Sequence, residues 1–247
     1  MIRAIVRWAG ERHSLVAEAA LVAGLYAVYQ VGRGFAVGGR DAAVDHAHTI
    51  ASVERSLRLF DEPRVQAAVR HVPELVGTLG VLYLTLHLAA TGLYLLWLHR
   101  RRARAFPTVR TALVIASGLA LVGFLLFPTA PPRLAGVGLV DTISRGGFGM
   151  DHGLVSALYN PFAAIPSIHI CYAGIVGASL WRHGRHPASR VLGVLYPSLQ
   201  LLVVVATGNH FFFDAAAGLA VAALAVAAAR VVVEHPARVR LSALAEA

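Results

Sequence analysis

The sequence has no lysine, a single cysteine and little charge of either sign, and each shortage excludes something. With lysine absent, all 22 basic side chains are arginines. The lone Cys171 rules out a disulfide framework, and its place inside an apolar run makes it a small packing residue. Charged residues supply 14% of the chain and hydrophobic ones 57%, with a mean hydropathy of +0.64, so an ordinary soluble domain is excluded. No HExxH or similar ligand spacing points to a metal, and nothing in the sequence asks for a cofactor. Internal repeats and low-complexity linkers are also missing, so residues 1–247 read as one membrane-embedded domain.

Long apolar runs are what remains. A spanning helix needs roughly 20 apolar residues. Six runs qualify on sequence: Leu15–Val31, Val72–Leu98, Thr111–Phe127, Ile165–Trp181, Val191–Ala206 and His210–Val233. The expected fold class is therefore all-α, a polytopic bundle of six transmembrane helices. Pro197 interrupts the fifth run, which membrane helices tolerate when neighbours satisfy the freed carbonyl. The first run has the charged start of a signal peptide, but no small-x-small site follows at Gln30–Gly34, so it reads as a span.

The net charge of +9 is a topology signal. Arg3, Arg7 and Arg12 precede the first run, and Arg100, Arg101, Arg102, Arg104 and Arg110 fill the second link. Arg182, Arg185 and Arg190 fill the fourth, and Arg230, Arg238 and Arg240 close the chain. Six spans put all four groups on one face, which the positive-inside rule makes cytoplasmic, with both termini. Loops 32–71 and 128–164 then face outward, their arginines balanced by Asp41, Asp45, Glu54, Asp61 and Glu62. No basic stripe with interleaved aromatics lies in a soluble segment, so nucleic acid is not an expected partner.

Segment 41–71 is too polar to span. Val44, His48, Ile50, Val53, Leu57 and Phe60 recur at three to four residues, and Pro63 opens a second short stretch with Val65, Ala68 and Val69 on one face. One or two amphipathic helices on the outer interface are expected there. Loop 128–164 is rich in glycine and proline, and a loop of that length between membrane helices usually has a function such as covering a site.

The outer loops and adjoining helix starts also hold the reactive groups. Phosphoryl transfer needs cations on the non-bridging oxygens, an in-line nucleophile and an acid for the leaving oxygen. Arg133 ends a Pro-Pro-Arg turn, where a guanidinium can grip phosphate with two bonds. Ser167 and His169 fall in the first turn of the fourth run, whose free N–H groups favour an anion. His210 and Asp214, spaced i, i+4, share a helix face, so the carboxylate can hold one ring nitrogen and leave the other to attack phosphorus. Ser167 and Asn209 join Arg133 as candidate phosphate-binding groups. Arg145, His152, Asn160 and Tyr159 are candidate substrate-binding groups, with Asp151 beside them.

Two other clusters compete with this reading. A metal held by His169, His210 and Asp214 lacks a supporting ligand spacing, and Asp41, Asp45, His46 and His48 read as the solvated side of an interfacial helix. His87, near the middle of the second run, reads as a hydrogen-bonded structural group too deep to meet the outer motifs. Phe162 and Phe211–Phe213 read as interfacial anchors or an acyl slot.

Three stretches together resemble the signature motifs of the type 2 phosphatidic acid phosphatase superfamily: Phe127-Pro-Thr-Ala-Pro-Pro-Arg133, Asn160-Pro-Phe-Ala-Ala-Ile-Pro-Ser-Ile-His169 and Gly208-Asn-His-Phe-Phe-Phe-Asp214. They look closest to its inositol phosphorylceramide synthase-like branch, over about Ser52 to Gly218. The resemblance implies a six-helix membrane core with His210 as nucleophile, Asp214 as its partner, His169 as acid/base and Arg133 as a phosphate ligand. The phosphatase branch carries a Lys ahead of the first-motif Arg and a Ser-Arg pair before the nucleophile. Here lysine is absent and that pair is Val203-Val204. Fewer cations favour a singly charged phosphodiester, with Arg145, Arg70 or Arg64 left to supply charge from the loops.

The expected function is head-group transfer from a phospholipid phosphodiester, of inositol-phosphate type, to a lipid alcohol through a phosphohistidine. The alternative is hydrolysis of phosphatidic acid or a polyprenyl (di)phosphate, with water as acceptor. A membrane transporter or scaffold is the non-enzymatic alternative. The Ala/Val/Arg-rich composition suggests a GC-rich bacterium, with the site on the outer face of its plasma membrane.

Overall fold

A computed structural model describes residues 11–35, 39–142 and 161–245. Eight α-helices occur among them: α1 Leu15–Phe35, α2 Arg40–Ser56, α3 Glu62–Arg70, α4 Pro73–Arg101, α5 Phe106–Leu126, α6 Ile168–His183, α7 Pro187–Ala206 and α8 Phe212–Ala245. A 3₁₀ turn, Pro132–Leu134, follows α5. Proline sits in the first turn of α3, α4, α5 and α7, where its missing N–H costs nothing and its fixed φ suits a helix. The all-α class expected from the sequence is what the chain adopts.

Among the described residues, five helices are long and apolar enough to cross a membrane: Leu15–Gly32, Pro73–Arg101, Phe106–Leu126, Pro187–Ala206 and Phe212–Val233. This is a multi-pass membrane protein, but the expected six spans are corrected to five. The run beginning at Ile165 yields only the 16 residues of α6. At 1.5 Å per residue that is about 24 Å, short of the roughly 30 Å hydrocarbon layer. Ala164 and Ile165 belong instead to the connection before the helix, because Pro166 and the N-cap Ser167 set its start at Ile168.

α6 is the axis of the bundle. Ile168, Cys171, Ile175 and Val176 pack with Phe124 of α5 and Ala222, Ala225 and Ala229 of α8 in the largest core cluster. Cys171 is fully buried there, as expected of a packing residue. Small residues let backbones approach, as they do between membrane helices generally. A side chain at Gly218 would meet the Ser167 carbonyl at 2.5 Å, and one at Gly177 would collide with the Gly193 backbone across the α6–α7 contact.

Segment 41–71 forms helices as expected, yet α2 turns an unexpected face inward. Ala43, Ala47, Ile50, Ala51 and Glu54 are buried against the loops at one end of the bundle, whereas Val53 and Leu57 are exposed. Three alanines suit the close approach around Ile50, and Val53 and Leu57 remain on the outside.

The basic segments gather at the opposite end. Arg12 donates to the His99 carbonyl at 2.7 Å. Arg101, Arg102 and Arg104 of the α4–α5 link share a cleft with His183, and Arg182 and Arg230 flank the adjoining one. Arg110 is an exception: it lies inside α5, nine-tenths and more buried, paired with Glu18 of α1. Glu18→Leu would take away the carboxylate partner of that buried guanidinium and is expected to cost about 3 kcal/mol, seen as a lower unfolding midpoint in detergent. A double variant, Glu18→Leu with Arg110→Leu, should recover most of the loss. An unchanged midpoint in the single variant would show that the pair does not hold α1.

Candidate active site

The end opposite the basic cluster brings together the C-terminus of α5, the N-termini of α6 and α8, and the helix pair α2–α3. The three motif stretches are stitched together there by main-chain bonds. Thr129 donates to the Phe162 carbonyl at 2.7 Å and accepts from Ala164, tying the first stretch to the second. Arg133 N–H donates to the Gly208 carbonyl at 2.9 Å, tying the first to the third. Ser167 N–H donates to the Asp214 carbonyl at 3.1 Å, tying the second to the third. Gly208 has φ +70°, and a Cβ there would also press on the Arg133 Cβ at 3.1 Å, so the turn demands glycine.

His210 and Asp214 meet as their spacing predicts. His210 Nδ1 lies 3.2 Å from Asp214 Oδ2, which also accepts from Phe211 N–H at 3.0 Å. A carboxylate at Nδ1 favours the tautomer with the proton on that nitrogen, leaving the lone pair on Nε2. His169, from the first turn of α6, places its ring centroid 5.6 Å from that of His210. All three side chains are buried. Two imidazoles this close, one oriented by a carboxylate, can divide the labour of nucleophile and acid/base.

Arg133 is also buried and tightly held. Its Nε donates to Asn209 Oδ1 at 3.0 Å and its Nη1 to Asp141 Oδ2 at 2.7 Å. Asn209 is braced in turn by Thr207 Oγ1 at 2.8 Å. Ser167 Oγ accepts from Ile170 N–H at the start of α6. Thus Asn209 orients the guanidinium, and Ser167 caps the helix that carries His169. Gln66 of α3 fixes the loop holding Asp141 by bonding both the N–H and the carbonyl of Val140, at 2.8 and 2.9 Å.

Other candidates fall elsewhere. Arg145, His152, Asn160 and Tyr159, with Asp151, lie outside the described residues. Arg64 pairs with Asp61 at the surface, and Arg70 is exposed at the end of α3. Val203 and Val204 are fully buried, and the Val204 carbonyl accepts from the N–H groups of Asn209 and His210. Of the acidic-histidine cluster, Asp41, Asp45 and His48 are exposed, whereas His46 stacks on Phe127 at 3.9 Å and bonds the Pro128 carbonyl. Among the described residues, no three His, Cys, Asp or Glu side chains assemble as a ligand set.

His87 contradicts its expected isolation. Its ring meets that of His169 edge-on at 4.1 Å, while Tyr83 stacks on His169 at 4.6 Å. The 29-residue α4 is longer than a span needs, and its first turns rise past the site beside α3. Position along the helix therefore overstated the distance to the motifs. Sequence reasoning also missed Glu54 and Glu62. They are buried under the first turn of α8 and accept from Phe213 N–H at 2.7 Å and Phe212 N–H at 2.9 Å. A single sequence offers no local sign that two acids in a polar segment fold inward.

No curated protein and no solved structure matches the chain. The family model of the PAP2 superfamily matches residues 48–228, which span α2 to α8 and include Arg133, His169, His210 and Asp214. With nearly three quarters of its length matched and those groups converging at one end of the bundle, the chain belongs to the PAP2 superfamily, a family of lipid phosphatases and phosphotransferases.

Proposed function

We propose that this enzyme transfers the head group of a phospholipid phosphodiester to a lipid alcohol through a phosphohistidine on His210. The observation that carries the reading is the buried pair of imidazoles, His210 oriented by Asp214 and His169 beside it. In the first step His210 Nε2 attacks phosphorus, the bond to the departing lipid oxygen breaks, and protonated His169 gives that oxygen its proton. In the second, the acceptor alcohol loses its proton to His169 and attacks phosphorus as the P–N bond breaks. Arg133 holds the non-bridging oxygens as charge shifts among them.

Charge supports a diester. The Arg133 guanidinium is already paired with Asp141, so its positive charge is partly offset before substrate enters. A monoanionic diester suits that field better than a phosphomonoester dianion. The arginines gathered at the other end support a cytoplasmic basic face and a site on the extracytoplasmic side of a bacterial plasma membrane.

Purified protein in lipid would be offered labelled phosphatidylinositol, phosphatidic acid and polyprenyl diphosphate, with and without a lipid alcohol other than diacylglycerol, because diacylglycerol as acceptor would only regenerate phosphatidylinositol. Head-group transfer from the diester supports the proposal. Inorganic phosphate from the other two, without transfer, replaces it with the hydrolytic alternative. The acid role of His169 has its own test. His169→Ala is expected to lose roughly 10²–10⁴-fold on a natural lipid ester, as removal of a general acid usually does. An ester with a nitrophenol leaving group, which departs without a proton, should lose far less in the first step. Equal losses on both would remove His169 from that role.

A further inference from the structure

Three consecutive backbone N–H groups open α8, and each is taken by a carboxyl group. Phe211 donates to Asp214 Oδ2, Phe212 to Glu62 Oε1 and Phe213 to Glu54 Oε1, at 3.0, 2.9 and 2.7 Å. Asp214 lies in the helix it caps, but Glu54 and Glu62 come from α2 and α3. Both are sealed from solvent, at 2% and 0% exposure. Their outer oxygens, Oε2 of each, meet no other hydrogen-bond donor among the described residues. Two neighbouring buried carboxyls, each with an oxygen left without a donor, can be bridged by one proton.

We propose that Glu54 and Glu62, sharing one proton, are positioning residues that fix the first turn of α8 and so the aim of His210 and Asp214. A helix N-terminus carries roughly half a positive charge and cannot balance three carboxylates at once. One proton between Glu54 and Glu62 removes a negative charge and keeps both acceptors on the backbone. The charged groups facing Glu54 agree with this arrangement. From α3 it meets Glu62 and from α8 Asp214, with His210 beyond; its neighbour Arg55 lies instead over the Phe60 ring. Burial, and then the neighbouring Glu62 and Asp214 carboxyls, push the Glu54 carboxyl up to about 9.

The sign of the pH dependence follows. Between 4.5, its unfolded value, and about 9, Glu54 holds a proton in the folded state that the unfolded chain releases. Its contribution to stability is therefore full below pH 4.5, falls as pH rises towards about 9 and is absent above it.

The proposal rests on the phosphohistidine reading, so its test has one arm independent of turnover. The full chain in nanodiscs would be unfolded thermally across pH 5–10 as wild type, Glu54→Gln and Glu54→Leu. In Glu54→Gln the amide replaces the shared proton with a fixed donor to Glu62, so the alkaline decline in midpoint should flatten relative to wild type. Orthovanadate, a phosphoryl mimic, would then be added at pH 7, and kcat measured on phosphatidylinositol and phosphatidic acid. Glu54→Leu should lose the vanadate-induced rise in midpoint and about 10²-fold in kcat, with KM little changed, as expected when a reacting group is misaimed by about 1 Å. Glu54→Gln should recover most of that kcat.

Parallel pH slopes in wild type and Glu54→Gln would overturn the shared proton. Different slopes, but unaltered vanadate binding and kcat in Glu54→Leu, would overturn the positioning role. Different slopes with neither vanadate binding nor turnover in wild type would instead sink the phosphohistidine reading, and the positioning role with it.

Discussion

His210→Ala is expected to leave a folded protein that turns over roughly 10⁴-fold or more slowly, because the covalent route has lost its nucleophile. The fold should survive. The Nδ1 bond to Asp214 is the polar contact given up, while Asp214 still accepts from Phe211 N–H, and the three stretches stay joined by main-chain bonds that do not involve the ring. Removing the imidazole leaves a cavity, so a modest drop in unfolding midpoint accompanies the loss. The informative companion is the trapped intermediate. Quenching in alkaline detergent after labelled substrate should leave a base-stable, acid-labile phosphate on wild type and none on His210→Ala. Full turnover by the variant would sink the nucleophile assignment. Turnover lost, with label still retained on the variant, would place the covalent bond on another residue.

Asp214→Asn is the second large effect, and it tests charge rather than presence. Asp214 Oδ2 accepts from two donors, Phe211 N–H and His210 Nδ1. An asparagine oxygen at that position can keep both bonds, with its NH2 at the unpartnered Oδ1 position, so the imidazole stays in place. What is lost is the negative charge that offsets the positive charge growing on His210 as Nε2 attacks. A loss of about 10³-fold in kcat is expected, the scale of removing one electrostatic contact to developing charge. Substrate binding through Arg133 should persist, so KM should change little. Nitrogen NMR of labelled histidine should show His210 protonated at Nδ1 in both proteins. Activity near normal in Asp214→Asn would mean that Asp214 is a helix cap and nothing more.

The match between expectation and structure was uneven, and the failures share a cause. Local rules were sufficient where the signal lay within one helix. The i, i+4 spacing of His210 and Asp214 placed them in hydrogen-bonding contact, and the polar periodicity of 41–71 marked one or two helices outside the apolar runs, where the chain forms α2 and α3. They failed where the result depended on what another element did. Ile165 looks like the start of an apolar span, yet the connection between α5 and α6 uses it, through the pairing of Thr129 with Phe162 and Ala164. His87 looked remote because its depth was counted along its own helix, whereas its nearest aromatic neighbour is on α6. Glu54 and Glu62 looked like solvated acids because nothing within α2 or α3 says that α8 will need two acceptors.

By itself the sequence determined that this is an all-α membrane protein, and it identified Arg133, His169, His210 and Asp214 as the groups to bring together. Both follow from composition and short-range spacing, which need no knowledge of packing. Only the tertiary structure decided how many helices are long enough to cross a bilayer, which neighbours His169 has, and that Arg133 is paired with Asp141. It alone placed two buried carboxyls beneath the reactive helix. Each of these depends on contacts between residues far apart in the chain, and such contacts are chosen by the fit of whole helices rather than by the residues on either side.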